Sequence, residues 1–247
     1  MAQNVQRDWK NEVSKQIVVY KTDKKLLELN DKLKPASKLF PAHIHAMGEE
    51  AEKGARSLIQ IIMLDYSKGT GENTIRVSAH INPEEAKFLY SRNFCGVSFV
   101  DFTQEKIFGD PDEAGLSKVT KLSIKRFDTD AKGEKRRYPW IADIENGRGF
   151  AAHNSNGGTY CKKDTYICDA RVSVNINDVD MFKLFAKAEA WIRVFEQNQA
   201  FKSCLIRFFN KLYLLIKKEI LGQTDVIIRH IDESDEWEED SETRKAS

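Results

Sequence analysis

The chain has 247 residues, 41% hydrophobic and 10% aromatic, which excludes a globally disordered protein and suits one large domain or two small ones. No apolar run reaches the roughly 18 uncharged residues of a membrane-spanning helix. The opening "MAQNVQRDWKNEVSKQ" lacks the apolar stretch of a signal peptide, so a cytosolic (cytoplasmic) protein with no membrane partner is expected. The net charge of +1 conceals an asymmetry, because the last sixteen residues, "DESDEWEEDSETRKAS", hold eight acidic and two basic side chains and leave residues 1–231 at +7. A basic body with an acidic tail points to a polyanionic partner. The tail itself, 232–247, reads as disordered, and either competes for the basic site, recruits a protein partner or simply solubilises the chain. Four scattered cysteines, with Cys161 and Cys168 six residues apart, fit neither a disulfide framework nor a structural zinc site, and reduced thiols are expected.

Residues 1–50 read as a charged helical segment, since "DKKLLELNDKL" spaces Leu26, Leu29 and Leu33 as on a helix and Pro35 ends the pattern. A first sheet-and-helix unit is expected over 51–117. "SLIQIIMLDY" (57–66) is rich in β-branched and apolar residues and reads as a strand. "SKGTGEN" is a turn, and "TIRVSAHI" (74–81) alternates Ile75, Val77, Ala79 and Ile81 on one face. Asn82, Pro83 and Glu85 then make a capping-box start for the helix "PEEAKFLYSRN". These two strands are the ones the first unit offers.

A second unit is expected over 118–197. "KVTKLSIKRF" (118–127) is its basic strand, with Lys118, Thr120, Ser123, Lys125 and Phe127 as polar face and Lys121 and Arg126 on the other. After the charged turn "DTDAKGEKRR", "YPWIADIEN" places Trp140, Ala142 and Ile144 on one face. "GRG" and "NSNGG" read as turns around "FAAH", and "TYCKKDTYIC" as a short extended piece. "ARVSVNIN" alternates Val172, Val174 and Ile176, and Asn177 with Asp180 caps an amphipathic helix whose apolar face is Met181, Leu184, Phe185, Ala188, Ile192 and Phe195. The phrase "RVSAHIN" from Arg76 thus recurs as "RVSVNIN" from Arg171, in each case as the last strand and helix cap of its unit.

The order basic strand, charged hairpin, aromatic strand, glycine turn, alternating strand and Asn-capped helix, carried by "KLSIKRFD", "YPWIADIENGRG" and "ARVSVNINDVDMFKLFAKAEAWI", resembles the Whirly and p-fifteen transcriptional-coactivator class. The purine-rich-element-binding proteins build a related unit twice. The resemblance implies an α+β fold with antiparallel sheets and binding of single-stranded nucleic acid.

Single-strand binding needs cations for phosphates and rings for bases. The second half interleaves both: Lys121, Lys125 and Arg126, then Lys135, Arg136, Arg137, Tyr138 and Trp140, then Tyr160, Lys162 and Lys163. Arg76 and Arg171 occupy equivalent positions of the repeat and either meet phosphates or pair with acids across their sheets. The expected protein is a non-catalytic binder of single-stranded DNA or RNA, with no cofactor and no metal. The alternative is a protein-interaction or inhibitor module, such as a phage or mobile-element factor, whose basic hairpins meet an acidic protein surface. His43 and His45 with Glu49 and Glu50 offer a weak metal pattern, and "GTG" and "GRG" lack the strand-to-helix setting of a phosphate loop. A long C-terminal helix and its extension are expected over 198–231. Its segment "FKSCLIRFFNKLYLLIKKEI" (201–220) is apolar on two sides, which predicts either burial between the units or a homo-oligomer interface.

Overall fold

The computed structural model describes residues 14–48 and 56–243, with backbone alone at 203, 206–207 and 218–243. Among the described residues ten strands and two α-helices occur in chain order: β1 (Gln16–Lys21), β2 (Lys25–Lys32), β3 (Leu58–Asp65), β4 (Ile75–Ile81), α1 (Pro83–Phe94), β5 (Phe99–Phe108), β6 (Ser117–Phe127), β7 (Trp140–Gly149), β8 (Ala151–His153), β9 (Thr159–Cys161), β10 (Ile167–Ile176) and α2 (Asp178–Thr243). All strand pairing is antiparallel. The fold is α+β, and no helix among the described residues is both long and apolar enough to cross a membrane.

Two four-stranded sheets, ordered β1-β2-β3-β4 and β10-β7-β6-β5, each lead into a helix, and β8 with β9 forms a small separate hairpin. The first sheet therefore has four strands, not two, and it begins at Gln16. Within the segment 1–50 read as helical, Gln16–Lys32 is the β1–β2 hairpin, while residues 1–13 and 49–50 lie outside the described ones. Its leucines at helical spacing misled because Leu27 and Leu29 also alternate at period two, and both are buried. Pairing of β2 with β1 on one side and β3 on the other satisfies its backbone and overrides the helical preference of Lys, Leu and Glu. β5 lies inside 51–117 but belongs to the second sheet, so the sheets do not follow the boundaries at 50 and 117. "GRG" is not a turn but the end of β7. A Cβ on Gly147 would sit 2.1 Å from the Ile167 carbonyl oxygen, so only glycine lets β10 begin so close.

Both repeated phrases form the strands and caps expected of them. Glu85 accepts the Asn82 backbone N–H at 2.7 Å, and the Asp180 N–H donates to Asn177 Oδ1 at 2.8 Å. Val77, Ala79 and Ile81 of β4 and Val172, Val174 and Ile176 of β10 point into one core. Leu29, Ile61 and Met63 join it from the first sheet, Trp140 and Ile144 from the second, and Leu89, Leu184, Ala188 and Ile192 from the helices. Each buried Val, Leu, Ile or Met among them contributes about 1.5–3 kcal/mol.

β4 and β10 are edge strands, and each edge is closed by side chains of the opposite sheet. The Asn146 amide of β7 clasps Ser78 of β4, accepting its N–H at 2.7 Å and donating to its carbonyl at 2.8 Å, while Lys106 of β5 donates to the His80 carbonyl. In return Lys25 of β2 donates to the Ser173 carbonyl of β10 at 2.6 Å, and Tyr20 of β1 reaches the Asn175 carbonyl. The repeated phrase thus marks the two strands whose free edges interlock the sheets, removing unpaired backbone that would invite foreign strands.

Met1–Glu196 forms one compact unit and Gln197–Ser247 a second. The α2 backbone stays helical through Thr243, so most of the acidic stretch expected to be disordered continues this helix. Among the described side chains of 201–216, Phe208, Phe209, Tyr213 and Leu215 are exposed.

Candidate nucleic-acid interface

The outer face of the second sheet is built from every second residue of its four strands, and the register sets them in three rows. One row is Glu105, Lys121, Glu145 and Arg171; the next Thr103, Ser123, Asp143 and Ser173; the third Asp101, Lys125, Ile141 and Asn175. All of them except Asp101, Ser173 and Asn175 line a shallow depression of about 570 Å³. Lys121 therefore shares its face with Ser123 and Lys125, and Thr120 turns inward with Leu122, because β6 keeps strict alternation from Thr120 onward.

Every cation of this face already has a carboxylate partner. Lys121 Nζ lies 3.2 Å from Glu105, and Lys125 Nζ 3.2 Å from Asp101. Arg171, 60% exposed, donates to both oxygens of Asp143 and lies 3.4 Å from Glu145. Asp143 holds the guanidinium above its ordinary range by hydrogen bond and charge. Lys121 Nζ also sits 3.9 Å above the Tyr166 ring, a cation–π contact. The Tyr166 hydroxyl is buried with no hydrogen-bond partner among the described residues, and burial, with Cys168 and Glu145 beside it, pushes the phenol far up. The four carboxylates were missed in the sequence, although "DFTQE" (101–105) and "DIE" (143–145) place acids at alternate positions, the signal of one strand face.

Two of the expected contacts face inward. Arg126 is buried, donating bidentately to Asp178 at 3.1 and 3.2 Å and to the Val97 carbonyl at 2.7 Å, with Asp128 as a second carboxylate partner. Trp140 is fully buried and donates Nε1–H to Asp178 at 2.8 Å. Both belong to the parity of β6 and β7 that faces the core, so neither is free to meet a nucleotide. Burial alone would raise the Asp178 carboxyl, but hydrogen bonds from Arg126 and Trp140 and the guanidinium charge outweigh it and hold the carboxyl below its ordinary range.

The remaining residues divide between two places that the sequence did not separate. Lys135, Arg136, Arg137 and Tyr138 lie on the β6–β7 connection, where Arg137 covers the Tyr138 ring at 5.5 Å. Tyr160, Lys162 and Lys163 lie on the β8–β9 excursion at the other end of β7. Ten residues of strand separate them, roughly 30 Å. Tyr138 and Tyr160 are 39% and 48% exposed, and all these cations except the half-buried Arg136 are exposed. Arg76 stands apart on the first sheet. It faces Leu64 where its counterpart Arg171 faces Glu145, so it is exposed and has no ion pair to a described residue.

Away from this face, His45 is buried with Nδ1 2.8 Å from Ser57 Oγ and Nε2 3.0 Å from Glu196, which Lys87 also holds at 2.7 Å. The Ser57 hydroxyl is buried and accepts the Lys34 N–H, so the group ties Lys34, His45 and Ser57 to the helices through Glu196 and Lys87. No group of three metal-ligating side chains occurs among the described residues, and Glu49 and Glu50 lie outside them. Comparison with family models, with curated proteins and with solved structures finds no match to this chain.

Proposed function

We propose that the protein binds single-stranded DNA or RNA without catalysis, using the second sheet and its two flanking hairpins. The observation that carries this reading is the placement of exposed cations beside exposed tyrosines on the connections at the two ends of β7. Lys135, Arg137, Lys162 and Lys163 meet phosphates at the two rims, and Tyr138 and Tyr160 offer stacking surfaces there. The face between them carries one more carboxylate than cations, so it receives bases rather than phosphates. Its hydroxyls and the Asn175 amide match the donors and acceptors of base edges. The Whirly-like order of elements supports the same reading.

The test is fluorescence anisotropy with labelled single strands at low salt. Binding is expected to weaken with salt by about 0.7 log units per tenfold step for each phosphate contact. Changing Lys135, Arg137, Lys162 and Lys163 together to Gln should weaken it at least about tenfold. No binding by the wild type at low salt overturns the proposal. A protein-binding module is the second reading, favoured by the exposed Phe94, Val179 and Phe182 where α1 meets the start of α2.

A further inference from the structure

The second compact unit is the distal part of α2, and its surface is unlike that of a solitary helix. Phe209 and Tyr213 are 59% and 64% exposed, and Phe201, Phe208, Leu214 and Leu215 are open to solvent as well. A contiguous apolar surface of this kind is rarely left to water.

Charge along the same helix is segregated. Residues 201–218, "FKSCLIRFFNKLYLLIKK", include five Lys or Arg and no acid. From Asp232 to Glu242, "DESDEWEEDSE", every charged residue is acidic. A parallel pair of such helices sets like charges side by side along both halves, whereas an antiparallel pair sets the basic half of each against the acidic half of the other. Spacing in the sequence agrees. Phe209, Tyr213, Ile216, Ile220, Gln223, Ile227 and His230 follow one another at alternating steps of four and three, the seven-residue period of a coiled-coil seam. An antiparallel register that opposes Phe209 to Ser234 also opposes Tyr213 to His230, Ile216 to Ile227 and Ile220 to Gln223. One register thus satisfies seam and charge together.

We propose that α2 pairs antiparallel with the α2 of a second copy of this chain, crossing near Leu221 and Gly222. The adjoining apolar positions Leu205, Phe208, Leu212 and Leu215 allow two such pairs to associate, so the assembly holds an even number of chains.

Light scattering on the full chain at micromolar concentration is expected to give the mass of two or four chains; a monomer or a trimer overturns the proposal. Orientation is read by disulfide trapping in a chain whose four cysteines are changed to serine. Phe209→Cys protein mixed with Ser234→Cys protein should cross-link on mild oxidation, and Phe209→Cys protein alone should not. The opposite pattern means a parallel pair and overturns the proposal. A second variant reads orientation with the native cysteines in place. Changing Lys211, Lys217 and Lys218 to Glu should raise the dissociation constant at least about tenfold at low salt, and an unchanged or tighter assembly overturns the antiparallel arrangement.

Discussion

Asp178 concentrates more structural duty than any residue the sequence singled out. As the first residue of α2 it sits at the positive end of the helix dipole, and it binds Arg126 from β6 and Trp140 from β7. Asp178→Ala should destabilise the protein by about 2 kcal/mol, the scale of hydrogen bonds to a charged group. The figure stays near the low end because Asp178 is itself partly open to water, which screens the pair. Urea denaturation at pH 7 checks this. Glu196 behaves alike: burial would raise its carboxyl, but Lys87 and His45 outweigh that and hold it down. Both carboxyls are depressed in the folded state. Their contribution is therefore fully present above the unfolded carboxylate range near pH 4 and is lost as pH falls through the lower folded values. Stability measured from pH 7 to pH 3 should fall, and Asp178→Asn should remove part of that slope. A slope identical in the variant contradicts this account.

At the scale of elements, the interlocked edges explain why a short phrase recurs. β4 and β10 each need inward-pointing apolar residues at alternate positions and a backbone edge that the opposite sheet can grip. Asn146 carries the largest share of that grip on β4, since one side chain satisfies both the N–H and the carbonyl of Ser78. Asn146→Ala should leave that pair without its partner and cost about 1–3 kcal/mol. Hydrogen exchange gives the local check, because the Ser78 amide should exchange faster in the variant while amides of β2 change little. Equal exchange at Ser78 would show that the clasp contributes nothing. The strand parity of β6 and β7 also explains the divided fate of the basic residues. Lys121 and Lys125 fall on the outer face and Arg126 on the inner, a distinction of one position.

For the whole molecule, the acidic groups bear on the proposed binding of single strands. Asp143 and Glu145 hold Arg171 and add negative charge to the candidate face. Changing them to Asn and Gln should tighten single-strand binding several-fold at low salt, because Arg171 is released and repulsion falls. Weaker binding would mean that these carboxylates read base edges directly. Deleting residues 232–247 removes a net six negative charges and should also tighten binding at low salt, with the effect fading as salt screens it. Anisotropy titrations at two ionic strengths check both, and an affinity unmoved by the deletion at low salt shows that the tail does not compete for the basic site.

The sequence by itself determined the α+β class, the strands at 57–66 and 74–81 and most of those in the second half. It also located both Asn-capped helix starts and the equivalence of the two repeated phrases. These are local properties: alternation at period two, capping side chains and turn residues act within a few positions and can be read along the chain. Tertiary structure alone decided that "KKLLELNDK" is a strand, because its pattern suits a helix or a sheet and only pairing with β1 and β3 selects one. It decided too that Arg126 and Trp140 serve the core around Asp178, a partner about 40 to 50 residues away. The cations of the outer face likewise acquire their carboxylates only when β5, β6, β7 and β10 come into register. Charge partners separated in sequence are set by strand register, and register is fixed by burial of a whole sheet face rather than by any one residue.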